Sequence, residues 1–163
     1  MPSGCFDTNS ETQGGSGATG WGVAGDADLG VGMSFDAGHV LVGKEILNVT
    51  FWLYSNAVSL TTNTYAHLWE GSDRTSPRAT SDAVVKSAIG TSLTEIKYTF
   101  SSPATLQAGD YMSADIDSTG VSVNWVSDGS AYETNTIAQE YRSTTGGWSE
   151  KTFGNRFKVE YTC

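Results

Sequence analysis

Positive charge is scarce in this chain: nine Lys and Arg stand against eighteen Asp and Glu, a formal net charge of −9. Affinity for nucleic acid comes mostly from Lys and Arg at phosphates, so a nucleic-acid partner is not expected. An anionic membrane surface is disfavoured for the same reason. Long apolar runs are lacking too. No stretch approaches the roughly 20 residues of a transmembrane helix, so membrane insertion is not expected. The N-terminal MPSGCFDTNSETQGGSG has neither a basic region nor an apolar run of the kind a secretion signal carries. Either a signal has been removed, or the chain leaves a cytoplasm another way, for example by lysis inside a virus particle. Proline is limited to three residues and histidine to two, His39 and His67.

Cysteine is as sparse, with only Cys5 and Cys163. They form no Cys-x-x-Cys pair and no Cys/His cluster, so a zinc site is not expected. The first and last strands of a sandwich are often neighbours, which makes a Cys5–Cys163 disulfide one reading. Closing so long a loop would restrict the unfolded chain by up to about 5 kcal/mol in the entropy model. Two unrelated thiols, or a bond to another chain, are the alternatives.

What the chain does have is glycine, at 19 residues, and aromatics, with five Trp, seven Tyr and six Phe in 163 positions. Ser, Thr and Asn fill the polar positions. This length fits one domain, and the large rings supply buried area that the low aliphatic content does not. No amphipathic helix of useful length appears. Short strand-like runs separated by turn residues do: VGMSF, ILNVTFWLY (46–54), TYAHLW (64–69), SDAVVKS (81–87), EIKYTF (95–100), GDYMSADI (109–116), GVSVNWVS (120–127), TIAQEYRS (136–143) and NRFKVEY (155–161). The pattern predicts an all-β, antiparallel two-sheet β-sandwich.

Alternation assigns faces. In 46–54, Val49, Phe51 and Leu53 are the inward set, against Thr50, Trp52 and Tyr54. In 64–69, Ala66 and Leu68 oppose Tyr65, His67 and Trp69. An outer face carrying Trp52, Tyr54, Tyr65, His67 and Trp69 is therefore the expected ligand or partner face, because large exposed aromatic patches mark contacts.

Residues 1 to 43 differ from the rest, with eleven of the nineteen glycines and no Lys or Arg. Residues 1 to 30 show no sustained period and read as an extended Gly-rich N-terminal arm, with the sandwich at 31–163. Phe6 and Trp21 are the candidate anchors of that arm on a neighbouring subunit.

The order MSF, ILNVTFWLY, TYAHLWEG, SPRATSDAVV, YTFSSPATLQAGDYMSADID, GGWSE and FKVEY resembles a family of jelly-roll-like β-sandwich domains. These occur in phage and virus structural proteins and in archaeal and bacterial surface proteins. The resemblance spans residues 31 to 161. Its most specific part is Phe100, Ser101, Pro103, Leu106, Ala108, Gly109 and Tyr111. It implies a non-enzymatic, surface-displayed module and carries no catalytic set. The expected function is a virion surface structural protein: a capsid decoration, knob or fibre-type subunit that contacts other virion proteins or itself as a homo-oligomer. The alternative is a carbohydrate-binding, adhesion module at an extracellular or cell surface, using the aromatic face on host glycans.

Candidate chemistry elsewhere is thin. A nucleophilic triad needs a Ser, a His and an acid, but no G-x-S-x-G elbow is present beside His39 or His67. Glu70, Asp73 and Asp82 could pair as glycosidase carboxylates, yet they fall in polar loops. DIDSTG (115–120) carries the first half of a calcium loop and lacks the acid at its twelfth place, where Val126 stands. Asp115 and Asp117 are thus candidates for a structural calcium, and a simple turn is the other reading. No other cofactor is expected. The sequon NVT (48–50) falls at a strand start and reads as chance. Trp148 in TTGGWSE reads as a turn with a packed indole, with ligand stacking as a second role.

Overall fold

The computed structural model describes residues 4–7, 17–21, 29–55, 60, 62–116, 123–128, 136–142, 146–150 and 154–163. In chain order the strands are β1 (Gly4–Asp7), β2 (Gly17–Trp21), β3 (Leu29–Phe35), β4 (Glu45–Ser55), β5 (Tyr65–Trp69) and β6 (Pro77–Thr80). There follow β7 (Thr94–Thr105), β8 (Tyr111–Ile116), β9 (Val123–Asp128), β10 (Thr136–Arg142), β11 (Gly147–Glu150), β12 (Gly154–Asn155) and β13 (Phe157–Thr162). They form two sheets. The seven-stranded sheet joins β1, β13, β4, β9 and β12, with β7 on β4 and β2 on β9; the six-stranded sheet runs β11-β10-β3-β8-β5-β6. The pairings between these strands are antiparallel. The protein is an all-β sandwich.

The core follows from the alternation. Val49, Phe51 and Leu53 of β4 are buried, and so are Ala66 and Leu68 of β5 and Ile96, Tyr98 and Phe100 of β7. Val31, Met33 and Phe35 of β3 and Met112 and Ala114 of β8, which share the six-stranded sheet with β5, complete the core opposite β4 and β7. Phe35 meets Phe157 edge-on at 6.3 Å, and this contact ties one sheet to the other. His39 belongs to this core. It packs on Phe35 at 5.0 Å, and its Nδ1 accepts a hydrogen bond from the Leu41 N–H.

The most specific phrase of the sequence is a sheet-to-sheet bend. Pro103, Ala104 and Thr105 end β7, and Leu106 is fully buried. Gly109 takes φ +84°, a left-handed conformation that glycine adopts without steric cost. Its N–H donates to Phe35 O at 2.7 Å. Asp110, buried at 1% exposure, accepts from the Gln107 N–H at 2.9 Å and from Arg78 Nε at 2.9 Å. The bend is thereby bolted to β6 before Tyr111 enters β8.

Two expectations need correction. Residues 81–87 are not a strand. They carry one bridge, Thr64 with Val84, and a short 3-10 turn at Lys86–Ala88. Val84 packs against the core and Val85 is 60% exposed, and the segment crosses from β6 in one sheet to β7 in the other. The strand nearby is Pro77–Thr80, at an edge where a proline is tolerated. Nor do the described residues of 1–30 stand apart from the sandwich as an arm. β1 pairs with β13, β2 pairs with β9, and residue 30 falls inside β3. Phe6 lies opposite Glu160 and Trp21 opposite Val123 in register. The side chains of Phe6 and Trp21, as anchors on a neighbour, lie outside the described residues.

Cys5 and Cys163 are disulfide-bonded across the β1–β13 edge, with Cα atoms 5.3 Å apart and a sequence separation of 158. Of the readings the sequence left open, the intramolecular bond is the one formed. Reduction is expected to lower stability by about 2–5 kcal/mol, read as a drop in urea midpoint with and without dithiothreitol. Tyr98 supplies a second test. Its hydroxyl pairs with Thr64 Oγ1 at 2.9 Å in the core, and burial pushes its phenol pKa well up. A raised pKa means the unfolded state loses its proton first. Stability is therefore full below about pH 10 and falls as pH rises further. Tyr98→Phe is expected to flatten that alkaline fall in pH-dependent unfolding, while losing about 1 kcal/mol at neutral pH.

Candidate functional site

The five aromatic and histidine residues expected on one face are split between two sheets. Trp52 and Tyr54 belong to β4 of the seven-stranded sheet; Tyr65, His67 and Trp69 belong to β5 of the six-stranded sheet. Consecutive strands here enter opposite layers, so their outward side chains point away from each other. Trp69 is also only 5% exposed, and Tyr65 alone of the five is well exposed, at 38%. Trp52 is capped by the Arg156 guanidinium, 4.2 Å from its ring. A single exposed platform of these five does not form.

Register explains what forms instead. On the outer face of the six-stranded sheet, Trp148, Tyr141, Gly30, Asp115 and Tyr65 lie in one row across five strands. The adjacent row contains Gln139, Gly32, Ser113, His67 and Thr80. Asp115 is the hub. His67 Nδ1 lies 2.6 Å from its Oδ2, Ser113 Oγ donates to the same oxygen at 2.9 Å, and Arg74 Nη1 donates to Oδ1 at 2.5 Å. Trp69 stacks on His67 at 4.5 Å and donates its indole N–H to Ser113 Oγ at 3.0 Å.

Arg74 comes from the β5–β6 loop and lies across the sheet over Gly30. A Cβ at Gly30 would fall 2.6 Å from Arg74 Nη1 and 2.7 Å from Asp115 Oδ1, so the missing side chain is the seat of the guanidinium. The guanidinium centre sits 4.0 Å from the Tyr141 ring, 4.8 Å from Trp69 and 5.4 Å from Trp148, all within cation–π range. Arg74 and Asp115 side chains are 12% and 8% exposed. Beside them opens a shallow cleft of about 520 Å³, bordered by Ser72, Asp73, Tyr111, Tyr141 and Trp148. Trp148 donates to Ser72 O at 3.1 Å and lies 5.0 Å from Tyr111 and 5.5 Å from Tyr141. The Thr75 N–H holds Asp73 Oδ1 at 2.8 Å and draws its pKa below the ordinary carboxylate value. Burial, with Glu150 nearby, pushes the Tyr111 phenol up.

A serine, a histidine and an aspartate thus meet on this face, but in the wrong connectivity for nucleophilic catalysis. Ser113 bonds to the aspartate and accepts from an indole, and its side chain is fully buried. A triad serine instead donates to the histidine, which is oriented by the acid from its other nitrogen. Glu70, Asp73 and Asp82 are not gathered: Glu70 pairs with Arg78, Asp73 holds its own loop, and Asp82 accepts from Ser101. Asp115 as a calcium ligand would place the ion beside the Arg74 guanidinium, which already holds one carboxylate oxygen. Asp117, the second candidate, lies outside the described residues. Among the described residues no three His, Cys, Asp or Glu side chains converge as a metal site. Asn48 of the sequon is tied to Glu160 at 2.6 Å.

Arg74 and Tyr141 are not marked by the sequence pattern, and Tyr111 is marked only as the end of the bend phrase, not as a site residue. Their one signal is glycine at alternate positions of LGVGMSF, which leaves bare backbone on an outward face for something else to cover. Comparison of the chain with protein-family models, curated proteins and solved structures gives no match.

The hub makes a direct prediction. Asp115→Asn leaves the Arg74 guanidinium without its carboxylate and is expected to destabilise the fold by about 3–5 kcal/mol. In a double-mutant cycle with Arg74→Met, denaturant unfolding is expected to show a coupling of about 1–3 kcal/mol. Additive losses would mean that the pair does not hold the loop.

Proposed function

We propose that this chain is a non-enzymatic, surface-displayed structural module of a virion, of the capsid-decoration, knob or fibre-subunit kind. Its partners would be other virion proteins or further copies of itself. The observation that carries the reading is how the polar groups are used. The residues that resemble chemistry, His67, Ser113 and Asp115, spend their hydrogen bonds on one another and on Arg74 and Trp69. Through these bonds they brace a sheet face.

Two further observations support the reading. The Cys5–Cys163 bond suits an oxidising setting such as a virion or extracellular surface. The reading also draws on the sequence resemblance to jelly-roll-like virion and surface domains, whose most specific phrase folds here as the glycine-hinged bend at Leu106–Tyr111. The second reading, an adhesion module for host glycans, is favoured by the aromatic cleft at Trp148 rather than by the Trp52–Trp69 platform first expected.

Particles purified from the source by density gradient are expected to contain the chain at a fixed ratio to the major shell protein by quantitative mass spectrometry. Antibody labelling of intact particles is expected to reach it. A chain recovered only in the soluble fraction would set this reading aside.

A further inference from the structure

We infer that the cleft between the β5–β6 loop and β11 is a binding site for a neutral saccharide, with Trp148, Tyr141 and Tyr111 as its stacking surface and Asp73 as its hydroxyl acceptor. The inference rests on the adhesion reading and gives it a site. Shape comes first. At about 520 Å³ the cleft lies within the range of small-molecule sites, and it is shallow and open to solvent. Three aromatic rings sit together at its wall, at 5.0 and 5.5 Å, on the outside of a sheet where no core calls for them. Pyranose rings present apolar C–H faces to such rings, while their hydroxyls need paired acceptors and donors at the edge.

Charge selects among ligands. Among the described residues the one cation lining the cleft, Arg74, is already engaged by Asp115 at 2.5 Å and lies over Tyr141 at 4.0 Å. The other charges described beside it are negative. Asp73 is exposed and held ionised by the Thr75 N–H, and Glu150 stands close enough to act on the Tyr111 phenol. Phosphate, sulfate and carboxylate ligands meet like charge there. A polyhydroxyl ligand without charge meets an ionised acceptor, a neutral phenol and apolar ring faces. Order in the site is also built in. The loop bearing Asp73 is pinned by Arg74 on one side and by the Trp148 indole N–H to Ser72 O at 3.1 Å on the other. Little ordering entropy is then left for binding to oppose.

The test uses the full chain with its disulfide intact, labelled for Trp indole N–H signals. Cellotetraose, xylotetraose, mannotetraose and chitotetraose are the neutral probes; sialyllactose and a heparin hexasaccharide are the anionic ones; a proline-rich decapeptide tests a peptide ligand. At least one neutral probe is expected to shift the Trp148 signal saturably. Trp148→Ala is expected to weaken that binding about tenfold, read on the other indole signals or by calorimetry. Asp73→Asn, an exposed change that leaves the loop turn its hydrogen-bond acceptor, is expected to weaken it about fivefold. The inference is overturned if no neutral probe shifts Trp148, if only the anionic probes or the peptide do, or if Asp73→Asn and Trp148→Ala bind the neutral probe as the parent chain does. Particle attachment is read separately, so loss of either reading leaves the other standing.

Discussion

Arg74 lies over the outer face of the six-stranded sheet with its guanidinium against the Asp115 carboxylate, and both side chains are almost fully covered. An ion pair so far removed from water is stable only if the remaining valences are met. Here they are met locally. Asp115 takes His67 and Ser113 on its other oxygen, and the Arg74 guanidinium lies over the rings of Tyr141, Trp69 and Trp148. The pair draws the β5–β6 loop down onto the sheet, and the loop in turn forms one wall of the cleft. Gly30 makes the approach possible, because any side chain there would occupy the place of the guanidinium.

A second buried carboxylate does comparable work at the end of the sandwich. Asp110 gathers Arg78, the Gln107 N–H and the Gly71 N–H at the bend between β7 and β8. The two aspartates lie five residues apart on the same strand approach, one at its entry and one near its far end. Asp115 clamps the loop before β6 through Arg74 and Asp110 clamps β6 itself through Arg78, so the short edge strand Pro77–Thr80 is held by arginine–aspartate contacts as well as by its ladder to β5. This explains how a four-residue edge strand that starts with proline keeps its place.

The fold and the site differ in how far local sequence reveals them. The inward residues Val49, Phe51, Leu53, Ala66 and Leu68 are legible because alternation is a property of each strand alone. The bend at Ala108 and Gly109 is legible because its backbone demands glycine. The hub is not legible. Asp115 and Arg74 are separated by 41 residues, and His67 and Asp115 by 48, and neither pair follows a local period. The reading of SDAVVKS as a strand failed for a related reason: its apolar residues fit a strand, but the chain uses them to cross between sheets.

Taken by itself, the sequence determined the β class, the positions of most strands and which side of each strand is apolar. Those features arise from backbone geometry over a few neighbouring residues. Only the tertiary structure decided that β4 and β5 enter different sheets, that Trp52 and Trp69 therefore share no face, and that Trp148, Tyr141 and Arg74 do. Strand partners are chosen by long-range burial and register, and a period of two is the same whichever layer a strand joins.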